Sequence, residues 1–416
     1  MKTTWMADLV ALALLGCSSD SPPGANVSQE NTLPDSPLAR LQNVSLIRAG
    51  DGFTLAGYDN GTVRWAHLSL AGVLTGETSF ALPQPALVGP VFAVTAKSAP
   101  GDQLIAIFVI AATAGGYELS AVAQTFGSAP AAAPLVLAPL PDGTDPATVQ
   151  LAAGAATTGN VGFVAWGIHD PNQPNLHIPV NYFLLPADAA VTTAPATWRN
   201  YDPANPTPPW DCLAAANGKT GIGLSVVVDD PNSPGKSEWI AVEFQETGAS
   251  NEMTYPLNEA VANCQIVGSP AAAGSYFMAF QGSNAIGFAT YYPFVSTNDG
   301  SESTGGSVTP RYPVLPAASF GGILNLPQPA WVAPAGSDIS IGLSRTSGPE
   351  VHRFTYDGIP HGGALALRSA NGQSGPVAAW VGSDGVYVTY ADQVSAPGTT
   401  SNQRYFSKIV SPASLP

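Results

Sequence analysis

The chain has 416 residues, long for an average domain, although all-β folds often use about 200 or more residues as one unit. Its 45% hydrophobic content and 10% charged content exclude a disordered chain and suffice for a large core. The net charge of −15, with no basic run, excludes the electrostatic basis of nucleic-acid binding and favours solubility. Many Gly (43) and Pro (39) residues between short apolar runs predict strands joined by tight turns.

The N-terminus has the features of an export signal. Residues 1–17 read MKTTWMADLVALALLGC, in which the apolar run LVALALL is too short to span a membrane. The ending Leu14-Leu15-Gly16-Cys17 resembles the lipobox of bacterial lipoprotein signal peptides. This resemblance implies a signal peptide over residues 1–16, cleavage before Cys17 and acylation of its thiol and new amino group. An ordinary secretory leader, or a chance cysteine, is the alternative.

The resemblance also implies a subcellular location. Acyl chains on Cys17 would anchor the protein to a lipid bilayer of the bacterial cell envelope without a transmembrane helix. Ser18 follows the cysteine where many lipoproteins retained in the inner membrane have Asp, which indicates the outer membrane. Residues 17–40 then form the lipidated cysteine and a Ser/Pro/Asn-rich disordered tether.

A hairpin pattern recurs along residues 41–410 and predicts one all-β domain, followed by a tail at 411–416. Each copy has a small-residue strand, a Gly/Asp/Asn/Ser turn and a more apolar strand. The copies are VSLIRAGDGFTLAGY (44–58), FAVTAKSAPGDQLIAIFVI (92–110), VQLAAGAATTGNVGFVAWGI (149–168), DCLAAANGKTGIGLSVVV (211–228), NCQIVGSPAAAGSYFMAF (263–280), AWVAPAGSDISIGL (330–343) and LALRSANGQSGPVAAWV (365–381).

Three or four strands per copy are typical of a β-propeller. A third strand follows most hairpins, and a weaker fourth segment such as ETSFALP (77–83) or RYFSKIV (404–410) follows several. The copies predict a single propeller of seven blades, with six or eight as alternatives. A pair of β-sandwiches is the rival architecture, and near-equivalent hairpins favour one closed ring.

Two further cysteines, Cys212 and Cys264, occupy equivalent positions in the fourth and fifth copies. In an exported chain an even pair predicts a disulfide, here one that joins neighbouring blades. Two buried thiols are the alternative.

Two similar loops, DPNQP (170–174) and DPNSP (230–234), lie between second and third strands of neighbouring copies. The long connections 186–209 and 293–327 fall near the junctions between copies, so the extra length is predicted on one face, a common binding face in repeat proteins. Restricted Asp-Pro geometry and left-handed Asn explain the loops structurally. The candidate ligand-binding residues are Asp170, Asn172, Asp229, Asp230, Asn232, Trp198, Tyr201 and Trp210.

The sequence contains no catalytic constellation. It has no G-x-S-x-G elbow, no phosphate-binding loop and no Cys/His cluster, so no cofactor or metal is predicted, with Ca²⁺ at the DPN loops as the alternative. These features favour a non-catalytic module that binds an envelope protein or a glycan. A propeller glycoside hydrolase or lyase, using acidic residues of the loop-rich face, is the second hypothesis. A purely structural envelope protein is the third.

Overall fold

The computed structural model describes most of the chain from residue 31 onward as β-structure. The described residues are 31–33, 37–49, 51–95, 103–125, 133–140, 142, 145–146, 149–155, 161–168, 180–186, 196–199, 210–217, 221–230, 232–245, 250–257, 259–268, 276–282, 285–292, 295–296, 302–303, 307–316, 328–335, 338–345, 348–355, 358–367, 373–374, 377–382, 385–396 and 399–410. Within these ranges, no helix has the length and apolar character needed to cross a membrane.

The strands follow one another along the chain, and one 3-10 turn (Pro37–Arg40) separates the first two. In chain order they are β1 (Asn31–Thr32), β2 (Gln42–Ala49), β3 (Gly52–Asp59), β4 (Thr62–Leu68), β5 (Leu74–Ala81), β6 (Val88–Thr95), β7 (Gln103–Ala111), β8 (Tyr117–Thr125), β9 (Leu135–Pro139), β10 (Val149–Ala155), β11 (Val161–Ile168), β12 (Val180–Pro186), β13 (Ala196–Arg199), β14 (Trp210–Asn217), β15 (Gly221–Asp229), β16 (Ser237–Gln245), β17 (Ser250–Pro256), β18 (Val261–Gly268), β19 (Tyr276–Gly282), β20 (Ala285–Tyr292), β21 (Val295–Ser296), β22 (Glu302–Ser303), β23 (Ser307–Pro316), β24 (Gln328–Ala335), β25 (Asp338–Arg345), β26 (Gly348–Thr355), β27 (Leu365–Ala366), β28 (Gln373–Ser374), β29 (Ala378–Gly382), β30 (Gly385–Ala396) and β31 (Thr399–Val410).

These strands form antiparallel sheets that succeed one another along the chain. The first to sixth sheets are β2–β5, β6–β9, β10–β13, β14–β17, β18–β19–β20–β23 and β24–β27. The last sheet has the order β29–β30–β31–β1, and β28 also pairs with β30. Strands β21 and β22 form a separate two-stranded ribbon between β20 and β23.

The sheets are arranged around an axis as a β-propeller. The first strand of each sheet contacts the first strand of the next, in the order β2, β6, β10, β14, β18, β24 and β29, and β29 contacts β2. The predicted all-β propeller is therefore confirmed. The nearly continuous apolar runs of the second strands explain this arrangement. A strand that is apolar on both faces needs cover on both, and a sheet stacked between two neighbouring sheets has that cover.

Burial follows that logic strand by strand. The second strands β3 and β25 are buried over their first six residues, and residues 104–110 of β7 are all buried. The outermost strand β5 instead alternates between half-buried and exposed positions, because only one of its faces meets protein. Continuous apolar runs thus mark second strands, as the sequence predicts.

The last sheet differs from its prediction. The seventh predicted hairpin (365–381) is wrong, because Leu365–Ala366 is the fourth strand of the sixth sheet. The segment predicted as that hairpin's second strand contains β29, which is the first strand of the last sheet. Residues 404–410, predicted as a fourth strand, belong to the third strand β31, and the fourth position is taken by β1.

The N-terminal boundary of the domain also needs correction. Residues 31–40 were predicted as part of the disordered tether, but Asn31–Thr32 pair with β31 and Leu33 and Leu38 are buried. The reason is physical: Leu33, Leu38 and Leu41 supply apolar surface that the first and last sheets cover. The predicted signal peptide, the lipidated Cys17 and the tail 411–416 lie outside the described residues.

Cys212 and Cys264 form a disulfide, which confirms the predicted pair. Their Cα atoms are 5.9 Å apart across 52 residues of sequence. Cys212 lies in β14 and Cys264 in β18, so the bond joins the first strands of neighbouring sheets. Both residues are buried in one cluster with Trp239 and Met278.

Candidate functional site

The loop after β15 contains the best-described part of the predicted ligand-binding site. A carboxylate oxygen of Asp230 accepts a hydrogen bond from the backbone N–H of Asn232 at 2.8 Å. The backbone N–H of Asp230 donates to the carbonyl of Lys236 at 2.8 Å, and Gly235 adopts a positive φ of 79°. The buried Asp230 therefore closes its own turn, as an Asx turn does. Asn232 is exposed beside it.

The start of β16 connects this turn to the next sheet. The hydroxyl of the buried Ser237 accepts a hydrogen bond from the backbone N–H of Val261 at 2.9 Å. The backbone of Ser237 also exchanges hydrogen bonds with Leu257 and Glu259. The described part of the second DPN loop is therefore linked by hydrogen bonds to the junction of the fourth and fifth sheets, and Asp230 has a structural role.

The remaining predicted site residues fall at one end of the third and fourth sheets or outside the described residues. Trp210 opens β14 and pairs with Val228, the residue before Asp229 at the end of β15. Trp198 lies in β13, the outermost strand of the third sheet. Asp170, Asn172 and Tyr201 lie outside the described residues. Ligand binding by these residues stays a prediction.

The distribution of the long connections differs from the prediction. Strand β13 divides 186–209, so residues 187–195 join a third strand to a fourth and only 200–209 join a fourth to a first. Likewise, 293–306 join β20 to β23, again a third strand to a fourth. Because successive antiparallel connections alternate between the two faces of the ring, the extra length is shared by both faces.

The strands around the axis carry little charge. The first strands of the sheets (β2, β6, β10, β14, β18, β24 and β29) contain Arg48 and Asp211 as their only charged residues. Nη1 of Arg48 donates to the carbonyl of Gly52 at 2.7 Å, and its guanidinium lies 5.1 Å from the ring centroid of Phe53. Apart from these two residues, the first strands consist of small, apolar and uncharged polar residue types.

The sixth sheet contains a charged cluster that the sequence prediction missed. Oδ2 of Asp338, whose side chain is only 4% exposed, accepts a hydrogen bond from Nε of Arg353 at 2.6 Å. Nδ1 of His361 lies 2.6 Å from the same oxygen, and its side chain is 56% exposed. Burial alone would raise the pKa of Asp338, but the hydrogen bonds from His361 and Arg353 outweigh it and lower that pKa.

A second charged group lies on the opposite face of the same sheet. Nη1 of Arg345 donates to Oε1 of Glu350 at 2.7 Å, and Nε2 of His352 lies 3.3 Å from Oε2. Burial tends to raise the pKa of Glu350, whereas His352 and Arg345 lower it, and the net shift is downward. Within β26, Glu350 and Arg353 point to opposite faces because side chains alternate along a strand.

This geometry limits the chemistry of the two carboxylates. Glycosidases need two carboxyl groups that flank one bond, and the general acid of such a pair has a raised pKa. Asp338 and Glu350 lie on opposite faces of a sheet and both have a lowered pKa. The alternation of EVHRFT in β26 was the sequence signal for these two charged groups. It places Glu350 and His352 on one face of the sheet and Arg353 on the other.

Comparisons with known proteins identify the fold and no family. No protein-family model matches the chain, and no curated protein matches it. The polysaccharide lyase Uly1 superposes with a TM-score of 0.50 at 8% identity, covering 92% of this chain and 99% of the lyase chain. The β-propeller domain of Myceliophteria thermophila Cps50 (Swd1) superposes with a TM-score of 0.51 at 8% identity, covering 91% and 99%. Trypanosoma rangeli sialidase gives a TM-score of 0.45 at 10% identity, over 88% of this chain and 59% of the sialidase chain. At 8% identity, the similarities to the lyase and to the Cps50 domain show the propeller fold alone.

Proposed function

We propose that this protein is a non-catalytic, lipid-anchored β-propeller of seven blades that binds a protein or a carbohydrate at the bacterial cell envelope. The observation that carries the proposal is the composition of the axis, where the first strands contain only Arg48 and Asp211 as charged residues. Glycoside hydrolases need two converging carboxylates, whereas these first strands contain a single carboxylate, Asp211. An axis of small and apolar residues favours binding.

Two observations support the envelope location. Disulfides persist in oxidising compartments, so the bond between Cys212 and Cys264 supports an exported protein. The Leu14-Leu15-Gly16-Cys17 sequence supports acylation at Cys17 and anchorage in the outer membrane. The predicted tether is then shortened to residues 18–30, since the propeller begins at Asn31.

The seven blades rest on the order of the sheets. Six four-stranded sheets and the last sheet each supply one first strand to the ring of contacts around the axis. Each of these sheets corresponds to one proposed blade. The two-stranded ribbon of β21 and β22 contributes no such strand.

The proposed ligand site is the face that carries the turn at Asp230 and the connection 200–209. The residues that the sequence predicts for this site include the aromatic types Trp198, Tyr201 and Trp210, of the kind that small-molecule and carbohydrate sites use. Its predicted polar residues are Asp170, Asn172, Asp229, Asp230 and Asn232. No metal is needed for this role.

A glycan array and a pull-down from envelope extract test the binding role. We expect the full chain to retain a glycan or protein, and we expect Trp210→Ala and Asn232→Ala to weaken that binding. The matched control is Asp51→Ala, which removes an exposed polar side chain from the β2–β3 turn on the opposite face. Binding that Asp51→Ala weakens as much as the site variants, or no binding at all, contradicts the proposal.

The second candidate function is a polysaccharide lyase or glycoside hydrolase. One observation favours it: the exposed imidazole of His361 is oriented by the buried Asp338, an arrangement that suits a general base. Incubation with acidic polysaccharides, followed by measurement of unsaturated or reducing ends, tests this function. Activity that His361→Ala abolishes and His352→Ala preserves would replace the binding proposal.

A further inference from the structure

The turn between β4 and β5 presents two apolar side chains to solvent. Leu70 is 49% exposed and Val73 is 56% exposed. The backbone N–H of Ser69 donates to the carbonyl of Val73 at 2.8 Å, and Gly72 donates back to Ser69 at 2.9 Å. The N–H of Val73 also donates to Oγ of Ser69 at 3.2 Å. The turn is thus held closed by its own hydrogen bonds with its leucine and valine outside.

This turn lies directly beside the first described residue of the chain. Gly72 packs so closely on the ring of Phe406 that a Cβ at this position would overlap it. Phe406 is in turn the backbone partner of Asn31 in β1. The apolar turn and the point at which residues 17–30 lead into the propeller are therefore separated by a single aromatic ring.

Topology places both features on the same face. In each sheet the fourth strand begins on the face where third strands connect to fourth strands, and β1 holds the fourth position of the last sheet. The turn of Leu70 and Val73 is such a connection in the first sheet. The connection between β26 and β27 is another, in the sixth sheet, and it carries Ile359, which is 61% exposed. The first and sixth sheets flank the last sheet.

The short segment between the proposed acylation site, Cys17, and strand β1 would keep this face near a membrane. The 14 residues from Cys17 to Asn31 span at most about 50 Å when fully extended. Acyl chains on Cys17 would therefore hold the entry point of the propeller, and the turn beside it, within that distance of the bilayer. No charged residue occurs between Ser69 and Val73, so contact of this turn with lipid buries no charge.

We propose that this face docks on the lipid bilayer, with Leu70 and Val73 entering its interfacial region and Ile359 contacting it from the other side of the last sheet. The inference rests on the proposed acylation of Cys17. The driving force is apolar, because a net charge of −15 gives no attraction to anionic lipids. Docking would fix the orientation of the propeller, so that the opposite face, which carries the proposed ligand site, points away from the membrane.

The test uses acylated full-length protein in phosphatidylcholine vesicles. An environment-sensitive fluorophore is attached at Leu70→Cys, and the matched control carries it at Leu87→Cys. Leu87 is also 49% exposed, but it lies in the connection from the fourth strand β5 to the first strand β6, on the opposite face of the propeller. We expect lipids brominated in their acyl chains to quench the label at position 70 several-fold more than the label at 87. We expect Val73→Ser to reduce that quenching.

The outcomes separate docking from anchoring. Protein that floats with the vesicles, yet shows equal quenching at both positions, overturns docking and leaves the lipid anchor intact. A label at position 70 that is shielded in proportion to protein concentration, without lipid, identifies a second copy as the partner and also overturns docking. A separate measurement, incorporation of a palmitate analogue, reports whether the lipid anchor is present, and Cys17→Ser should abolish that incorporation. If the wild-type protein does not incorporate the palmitate analogue, both the lipid anchor and the docking proposal are overturned.

Discussion

At the scale of single residues, the charged groups of the sixth sheet bear on stability. The buried carboxylate of Asp338 accepts hydrogen bonds from Arg353 and His361 on one oxygen. These contacts join the start of β25 to the third strand β26 and to the connection that follows it, where Pro360 also forms a β-bridge with Phe354 of β26. The cluster thereby fixes the position of the connection that carries Ile359.

Replacing Asp338 with Asn should destabilise the protein at neutral pH. The amide cannot compensate the charge of Arg353, so we expect the free energy of unfolding to fall by about 1.5–3 kcal/mol, the range for hydrogen bonds to charged groups. Urea unfolding followed by circular dichroism measures the change. The control is Asp142→Asn, which alters an exposed carboxylate, and an equal loss in that control would contradict the structural role of Asp338.

The lowered pKa values of Asp338 and Glu350 predict a loss of stability in acid. The unfolded chain regains ordinary values near about 3.9 and 4.3, so it binds protons before the folded state does as the pH falls. Their contribution is therefore complete above about pH 5 and is lost as the pH falls through the folded pKa values. Unfolding free energies measured downward from about pH 6, which is above the range where these carboxylates titrate, should decline less steeply in Asp338→Asn. An unchanged slope would be evidence against the shift.

The buried His67 predicts a second pH range in which the free energy of unfolding changes. Its ring is buried in β4, with Nδ1 3.1 Å from the hydroxyl of Thr54, and burial lowers its pKa. Since the unfolded value is about 6.5, stability is full above that pH and falls as the unfolded state takes up a proton that the buried ring resists. We expect His67→Gln to flatten the stability profile between about pH 7 and 5. A profile identical to that of the wild type would show that His67 does not titrate differently on folding.

At the scale of strands and hairpins, most elements were predictable and the exceptions have physical causes. The hairpins β2–β3 and β24–β25 follow the apolar pattern because both faces of their second strands, β3 and β25, are buried. The fourth strand of the sixth sheet has only two residues, Leu365–Ala366, too few to show a period, and it was therefore assigned to the next hairpin. The site was less predictable, since the partners of Asp338 depend on register between strands.

Close strand contact makes a glycine essential in the sixth sheet. Gly342 in β25 pairs with Trp331 in β24, and a Cβ at position 342 would overlap the indole ring. We expect Gly342→Ala to lower the free energy of unfolding by about 1–3 kcal/mol, as overpacking of a core does. Gly363→Ala is the control, because open space surrounds that position. Equal midpoints of thermal unfolding for the two variants would refute the packing argument.

The disulfide acts between elements, on the junction of the fourth and fifth sheets. It closes a loop across 52 residues, for which chain entropy gives a stabilisation of about 4 kcal/mol. We expect the Cys212→Ala, Cys264→Ala double variant to lose about 2–4 kcal/mol. A reducing agent should cause a similar loss in the wild type and none in the double variant. A wild type that is insensitive to reduction would contradict a role for this bond in stability.

At the scale of the whole molecule, the two ends of the described chain hold the ring together. β1 is the fourth strand of a sheet whose other members come from residues 373–410, so the start of the propeller pairs with its end. Leu33, Leu38 and Leu41 pack in one cluster with Phe53 of the first sheet and Phe406 of the last. Sequence patterns did not reveal this closure, because two strand residues and scattered leucines carry no period, and the pairing joins residues at opposite ends of the chain.

Closure by the N-terminal segment predicts the effect of two truncations. A chain that begins at Gln42 loses β1 and three buried leucines, worth about 5–9 kcal/mol at about 1.5–3 kcal/mol each. That loss approaches the entire net stability of a typical protein, so we expect this chain to lose its cooperative unfolding transition. A chain that begins at Asn31 keeps the closure and should unfold with the midpoint of a chain that begins at Cys17. Leu38→Ala in the longer chain isolates one side chain, and it should cost about 2–5 kcal/mol. If the chain from Gln42 melts cooperatively at the same temperature as the chain from Asn31, the ring is closed by the sheets around the axis alone.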